Sequence, residues 1–137
     1  MKNITIENPS GDIVGSFHYD PSRPNTYVAR GKLARDTFDR EAISALIRIS
    51  IQPNGTAASP AYAQILEKAE HTVYCWFDTF LGYDGAGCSI FRTVRPFAAV
   101  GGKFFCQTVM KQVAETVTQK PADSILDQII CFNRRKR

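Results

Sequence analysis

Polar and apolar residues alternate at the start of the chain, where Ile4 and Ile6 sit between Asn3, Thr5 and Glu7. A period of two marks a strand with one buried face. A second apolar run, Ile13 to Tyr19, follows the turn-forming cluster Asn8-Pro9-Ser10-Gly11-Asp12, so the two runs are expected to pair as a β-hairpin. Two strands alone are marginal in water, and this hairpin must pack on helices or pair with another chain. Asp20 to Thr26 carries two prolines and several capping residues; it reads as a rigid connector that can start a short helix.

The period then changes to that of a helix. From about Val28 onward the apolar stripe is clearest at Phe38, Ala42, Ala45, Leu46 and Ile49, with Arg35, Asp39, Arg40 and Arg48 off it, and the breaker Gln52-Pro53-Asn54-Gly55 ends it. Ser59-Pro60 opens the longest predicted helix, with a capping hydroxyl before proline at the first helical position. Its apolar residues Tyr62, Ile65, Leu66, Ala69, Val73, Trp76, Phe77 and Phe80 recur at three and four, and Gly82 stops it. Beyond the glycine-rich segment Gly82 to Gly87, Ser89 is expected to cap a short piece through Phe91 and Val94 that stops before Pro96. Gly101-Gly102 then lead into a helix with Phe105, Val109, Val113 and Val117 on one stripe, backed by Phe104, Cys106 and Met110. After Pro121 a last helix is expected from Ala122 to Phe132, through Ile125, Leu126, Ile129 and Ile130. The predicted fold is mainly α (α+β), an N-terminal β-hairpin followed by a bundle of about four helices.

Length and charge refine this picture. A chain of 137 residues has the size of one domain and buries roughly two-thirds of its unfolded surface; the expected division is a single domain over residues 1–133 and a basic tail over 134–137. The net charge of +4 comes from that tail: without Arg134, Arg135, Lys136 and Arg137, thirteen basic residues face thirteen acidic ones. The body supplies no basic face to continue a nucleic-acid footprint, so the tail reads as a solvated terminus and nucleic acid is not the expected partner. No apolar run approaches the ~18–20 residues of a membrane span, and the early Glu7 is unlike a signal peptide. A cytoplasmic protein is expected.

Candidate chemistry is sparse. Cys75, Cys88, Cys106 and Cys131 are far apart without a C-x-x-C pair, which argues for free, buried thiols in a reducing compartment. His71 and Cys75 stand at i, i+4, half of a zinc site at most, and no metal or cofactor is expected. Gly82 to Gly87 lacks the lysine and Ser/Thr of a phosphate loop and follows a helix, so it reads as a helix C-cap and tight turn. Gly101-Gly102-Lys103 could hold an anion at a helix start but serves equally as a flexible entry. Asp20, Asp78 and Asp84 have no partner base placed by sequence, with Asp78 expected to face water opposite Trp76 and Phe80. Enzymatic activity is not expected.

The aromatics Tyr74, Trp76, Phe77, Phe80 and Tyr83 are the candidate partner-binding residues, because they extend around more of their helix than one core stripe requires. Trp76 and Phe80 are expected to be buried against the Phe105/Val109 helix, and Tyr74 and Tyr83 to face outward.

Two patches, Gly15-Ser16-Phe17-His18-Tyr19-Asp20-Pro21-Ser22 with Asn25, and Trp76-Phe77-Asp78-Thr79-Phe80-Leu81-Gly82 with Gly85, Gly87, Ile90 and Phe91, carry a resemblance. Together with the order of elements, they resemble the small tail-assembly chaperones of long-tailed bacteriophages and prophages. The resemblance implies a non-enzymatic, cofactor-free helper in the bacterial host cytoplasm that binds tape-measure and tail-tube proteins before virion assembly, with a homo-oligomer among the forms it allows. Two alternatives are a structural tail or head-completion protein, and a small nucleic-acid-binding regulator acting through Arg134, Arg135, Lys136 and Arg137.

Overall fold

The computed structural model describes residues 1–50 and 60–119. Strands β1 (Lys2–Glu7) and β2 (Ile13–Tyr19) form the antiparallel hairpin, with Ile4 opposite Phe17 and a bulge between Ile6 and Glu7. The Asn8 side-chain oxygen accepts the N–H groups of Ser10 and Asp12, both at 3.0 Å, and Gly11 takes the left-handed φ of +89° that the turn requires. Ile6, Phe17 and Tyr19 point into the core.

Helix α1 (Pro24–Thr37) starts with proline in its first turn and buries Tyr27, Gly31 and Ala34. The continuous helix read from the sequence is broken here. Phe38 is extended (φ −78°, ψ 121°), and the carboxylate of Asp39 accepts the N–H of Ala42 at 3.1 Å, capping a separate helix α2 (Arg40–Ser50). That bond holds the Asp39 carboxyl below its usual range. Tyr27, Gly31, Ala34, Phe38, Ala42 and Leu46 are all buried and stay in phase across the break, which is why periodicity alone does not reveal it. Ile43, off the predicted stripe, is fully buried, and Ala45 is only half-buried.

The long helix α3 (Pro60–Leu81) packs on α1, α2 and the short α4 (Ala86–Ile90), while α4 also packs on β2. Beyond Ala98 the chain forms a second, small hairpin absent from the sequence reading, β3 (Ala99–Val100) and β4 (Lys103–Phe104). Gly101 and Gly102 turn it at φ +62° and +80°, the pair of positive φ values that a tight two-residue hairpin demands. Helix α5 (Phe105–Thr118) follows directly, with Gln107 accepting the Phe104 N–H at 3.1 Å, and buries Phe105, Val109, Val113 and Val117 as expected, on α1.

The molecule is mainly helical with an N-terminal hairpin, as the sequence predicts; five helices lie among the described residues. Ser59, Ile51 to Gly55, the predicted helix Ala122 to Phe132, Cys131 and the tail Arg134, Arg135, Lys136 and Arg137 lie outside the described residues. Among the described residues no helix is long and apolar enough to cross a membrane.

Candidate functional site

The corner between α3 and α4 is where the candidate residues converge. Helix α3 ends at Gly82, whose N–H reaches the Asp78 carbonyl at 2.9 Å and whose φ is +83°, the left-handed cap expected of glycine there. The Arg30 guanidinium of α1 donates to the Leu81 carbonyl at 3.2 Å and lies over the Tyr27 ring, so a cation sits at the negative end of the helix. Gly85, also left-handed at φ +86°, begins α4. The Asp78 carboxylate accepts the N–H of Gly87 at 2.9 Å and of Gly85 at 3.3 Å. Asp78 is therefore the carboxylate that caps α4, rather than a side chain turned to water. Gly87 lies so close to α3 that a Cβ there would stand 2.6 Å from the Tyr74 Cα.

The same corner closes the outer edge of β2. Tyr83 Oη accepts the His18 N–H at 3.2 Å, Ser89 Oγ donates to the Ser16 carbonyl at 2.9 Å, and Thr93 Oγ1 donates to the Val14 carbonyl at 3.1 Å. Gly15 lies against the Ile90 carbonyl, with no room for a Cβ. Ser89 is thus a tether to β2, and the short helix starts three residues before it instead of being capped by it.

The candidate aromatics divide accordingly. Trp76, Phe77 and Phe80 are each 0% exposed, so none presents a surface to a partner. Their surplus over one stripe is absorbed because α3 is flanked by α1, α2 and α4 and needs a wide buried face. Phe80 meets Tyr27 of α1 at 6.3 Å between ring centroids, and Trp76 packs edge-on against Phe77 at 4.8 Å. The aromatic path toward α5 runs from Phe77 through Phe91 to Phe105, at 5.4 and 6.0 Å. Tyr74 is half-buried with its ring 6.0 Å from Phe91. Tyr83 is half-buried and stacked on His18 at 3.9 Å with rings 14° apart. Both phenols are pushed above their ordinary range, first by burial. Neither tyrosine is the free outward anchor read from the sequence, since both are joined to the structure around them.

The polar groups of the corner are engaged in holding it. Asp20 binds the Ser22 N–H and hydroxyl and pairs with Arg23 at 3.5 Å. The hydroxyls of Ser89 and Thr93 donate to backbone carbonyls, so neither is poised on a base. His18 Nδ1 and Trp76 Nε1 are buried without a hydrogen-bond partner among the described residues. Glu70, which sequence reasoning passed over, is almost wholly buried in α3 and takes two hydrogen bonds from Arg95 at 2.7 and 2.8 Å; this pairing holds the guanidinium proton still more firmly than usual. A carboxylate in the middle of an apolar stripe is the signal that could have found it.

Cys75 is half-buried with Sγ 3.7 Å from the His71 ring, Cys88 is exposed, and Cys106 is buried. The exposure of Cys88 corrects the expectation of buried thiols; it sits on the outward side of a helix only five residues long. Burial raises the Cys75 and Cys106 thiols, the latter far. Among the described residues no three His, Cys, Asp or Glu side chains gather as a metal site. Lys103 and the two glycines before it belong to the β3–β4 hairpin rather than to a helix start.

Among the concavities formed by the described residues, two adjoin elements of the corner. A cleft of about 210 Å³ beside the corner is lined by His18, Arg23, Tyr27, Arg30 and Tyr83 among others. A larger open groove of about 550 Å³ runs between α2 and α3, with Ala42, Ala45 and Ile65 in it and Arg40, Arg48 and Lys68 around it. Lys68 is largely exposed and 3.5 Å from Asp39. No family model, curated protein or solved structure matches the chain.

Proposed function

We propose that this chain is a non-enzymatic binding protein, a tail-assembly chaperone of a long-tailed bacteriophage or prophage, working in the host cytoplasm on tape-measure and tail-tube proteins before assembly. The resemblance of the Gly15–Ser22 and Trp76–Phe91 patches supplies the family. The observation that carries a binding role is the α2–α3 groove: a floor of small and aliphatic side chains with three basic residues around it and one acidic residue, Glu41. Such a surface fits an amphipathic helix whose apolar side enters the groove and whose flanks are acidic. The binding surface is assigned there, not to the aromatic corner, whose large rings are internal.

Coexpression with a tape-measure protein from the same phage or prophage genome tests the reading. The wild type is expected to keep that protein soluble, and an Arg48→Glu, Lys68→Glu variant is not, because reversed charges repel an acidic helix. Equal rescue by both removes the groove from the mechanism. Failure of the wild type counts against the chaperone role itself.

A further inference from the structure

We propose that two copies of this chain join through the outer edges of their β1 strands, making a four-stranded antiparallel sheet from two hairpins. The argument starts from where the backbone groups of the hairpin point. In β2 the outward groups belong to residues 14, 16 and 18, since these are the ones bound by Thr93, Ser89 and Tyr83. In an antiparallel pair, a residue whose N–H and C=O point outward stands opposite one whose groups also point outward. Thr5 is opposite Ser16 and Asn3 is opposite His18, so the backbone groups of Asn3 and Thr5 face away from β2, and the side chains of both residues are exposed. Among the described residues, one edge of the ribbon is closed by Tyr83, Ser89 and Thr93 and the other makes no such bond.

A bare edge is a template for another strand, and the sequence of β1 fits its own copy. Outward groups must meet outward groups, so odd positions pair with odd positions. Setting Thr5 against Thr5 of the second copy places Asn3 against Glu7 and Ile4 against Ile6. Threonine opposite threonine is a favourable cross-strand pair, and no charge stands opposite a like charge. Ile4, packed on the core but only partly buried in the single chain, gains a further apolar neighbour. The proposal is independent of the groove and of the chaperone reading.

Sedimentation velocity across a wide range of concentration gives the test. The wild type is expected to form a concentration-dependent dimer. Thr5→Pro removes an outward N–H that no bond among the described residues uses, a tolerated place for proline in an edge strand, and should sediment as a monomer whose unfolding midpoint matches that of the wild type at concentrations too low for the dimer. A charge pair guards against a misfolded proline variant: Thr5→Lys and Thr5→Glu should each be monomeric, and an equimolar mixture should dimerise again. A monomeric wild type, a dimer indifferent to Thr5→Lys, or a mixture that stays monomeric overturns the proposal. Binding of an extended segment of another protein by a monomeric wild type overturns it likewise.

Discussion

The carboxylate of Asp78, one turn from the end of α3, accepts the backbone N–H of Gly87 in α4 at 2.9 Å. A five-residue helix has too few internal bonds to hold itself, so this contact from the neighbouring helix fixes where α4 begins and, through α4, where the cover over β2 lies.

Asp78→Ala is therefore expected to lower stability by about 1–2 kcal/mol, the usual cost of losing a helix cap. Asp78→Asn, which keeps one acceptor, should lose less. The urea midpoints of the two variants check the order, and equal midpoints for Ala and wild type would remove Asp78 from the corner's support.

The glycines should separate by their surroundings. Gly87→Ala and Gly15→Ala drive a methyl into the Tyr74 backbone and the Ile90 carbonyl, and overpacking against backbone costs about 1–3 kcal/mol or more. Gly11 has a positive φ but open space around it, so Gly11→Ala should cost only the strain of that backbone, about 1–2 kcal/mol. Thermal unfolding of the three variants reads this directly; Gly11→Ala as the least stable would contradict the packing described here.

Stability should fall at alkaline pH. Burial holds the Tyr74 and Tyr83 phenols above their ordinary value of 10.0 and the Cys106 thiol above 9.0. The unfolded chain releases these protons first, so the contribution is full below those ordinary values and is lost as pH rises toward the folded ones. The urea midpoint is expected to decline from about pH 9 upward. A Tyr74→Phe, Tyr83→Phe variant should decline less steeply, and an identical slope would show that these phenols are not the groups responsible.

The Glu70–Arg95 pair should be asymmetric. Glu70 has 9% of its side chain exposed and Arg95 has 67%. Arg95→Ala strands a buried carboxylate without its donors, costing about 1–3 kcal/mol. Glu70→Gln leaves a cation already in water and should cost less. A larger loss from Glu70→Gln in chemical denaturation would reverse the assignment.

How much of this was legible in the sequence follows from the range of the contacts. The hairpin, α3 and α5 are written in local periods of two and of three to four, and they were readable. The break at Asp39 was not, since a single capping carboxylate interrupts a stripe that stays in phase from Tyr27 to Leu46. The β3–β4 hairpin is two residues long on each side, too short for any period. The aromatic surplus on α3 was visible, but its meaning depended on how many elements pack around that helix. The bonds from Tyr83, Ser89 and Thr93 to β2 join residues 65, 73 and 79 positions apart, and nothing local announces them.

That separation has a consequence during synthesis. A ribosome that has just completed β2 must add the whole of α1 to α3 before the residues that close its outer edge exist. At about 5–20 residues per second this takes roughly 3 to 15 s. For that interval the ribbon is open on both sides, and the first strand pair to be made waits for residues 83 to 93 before its second strand is covered.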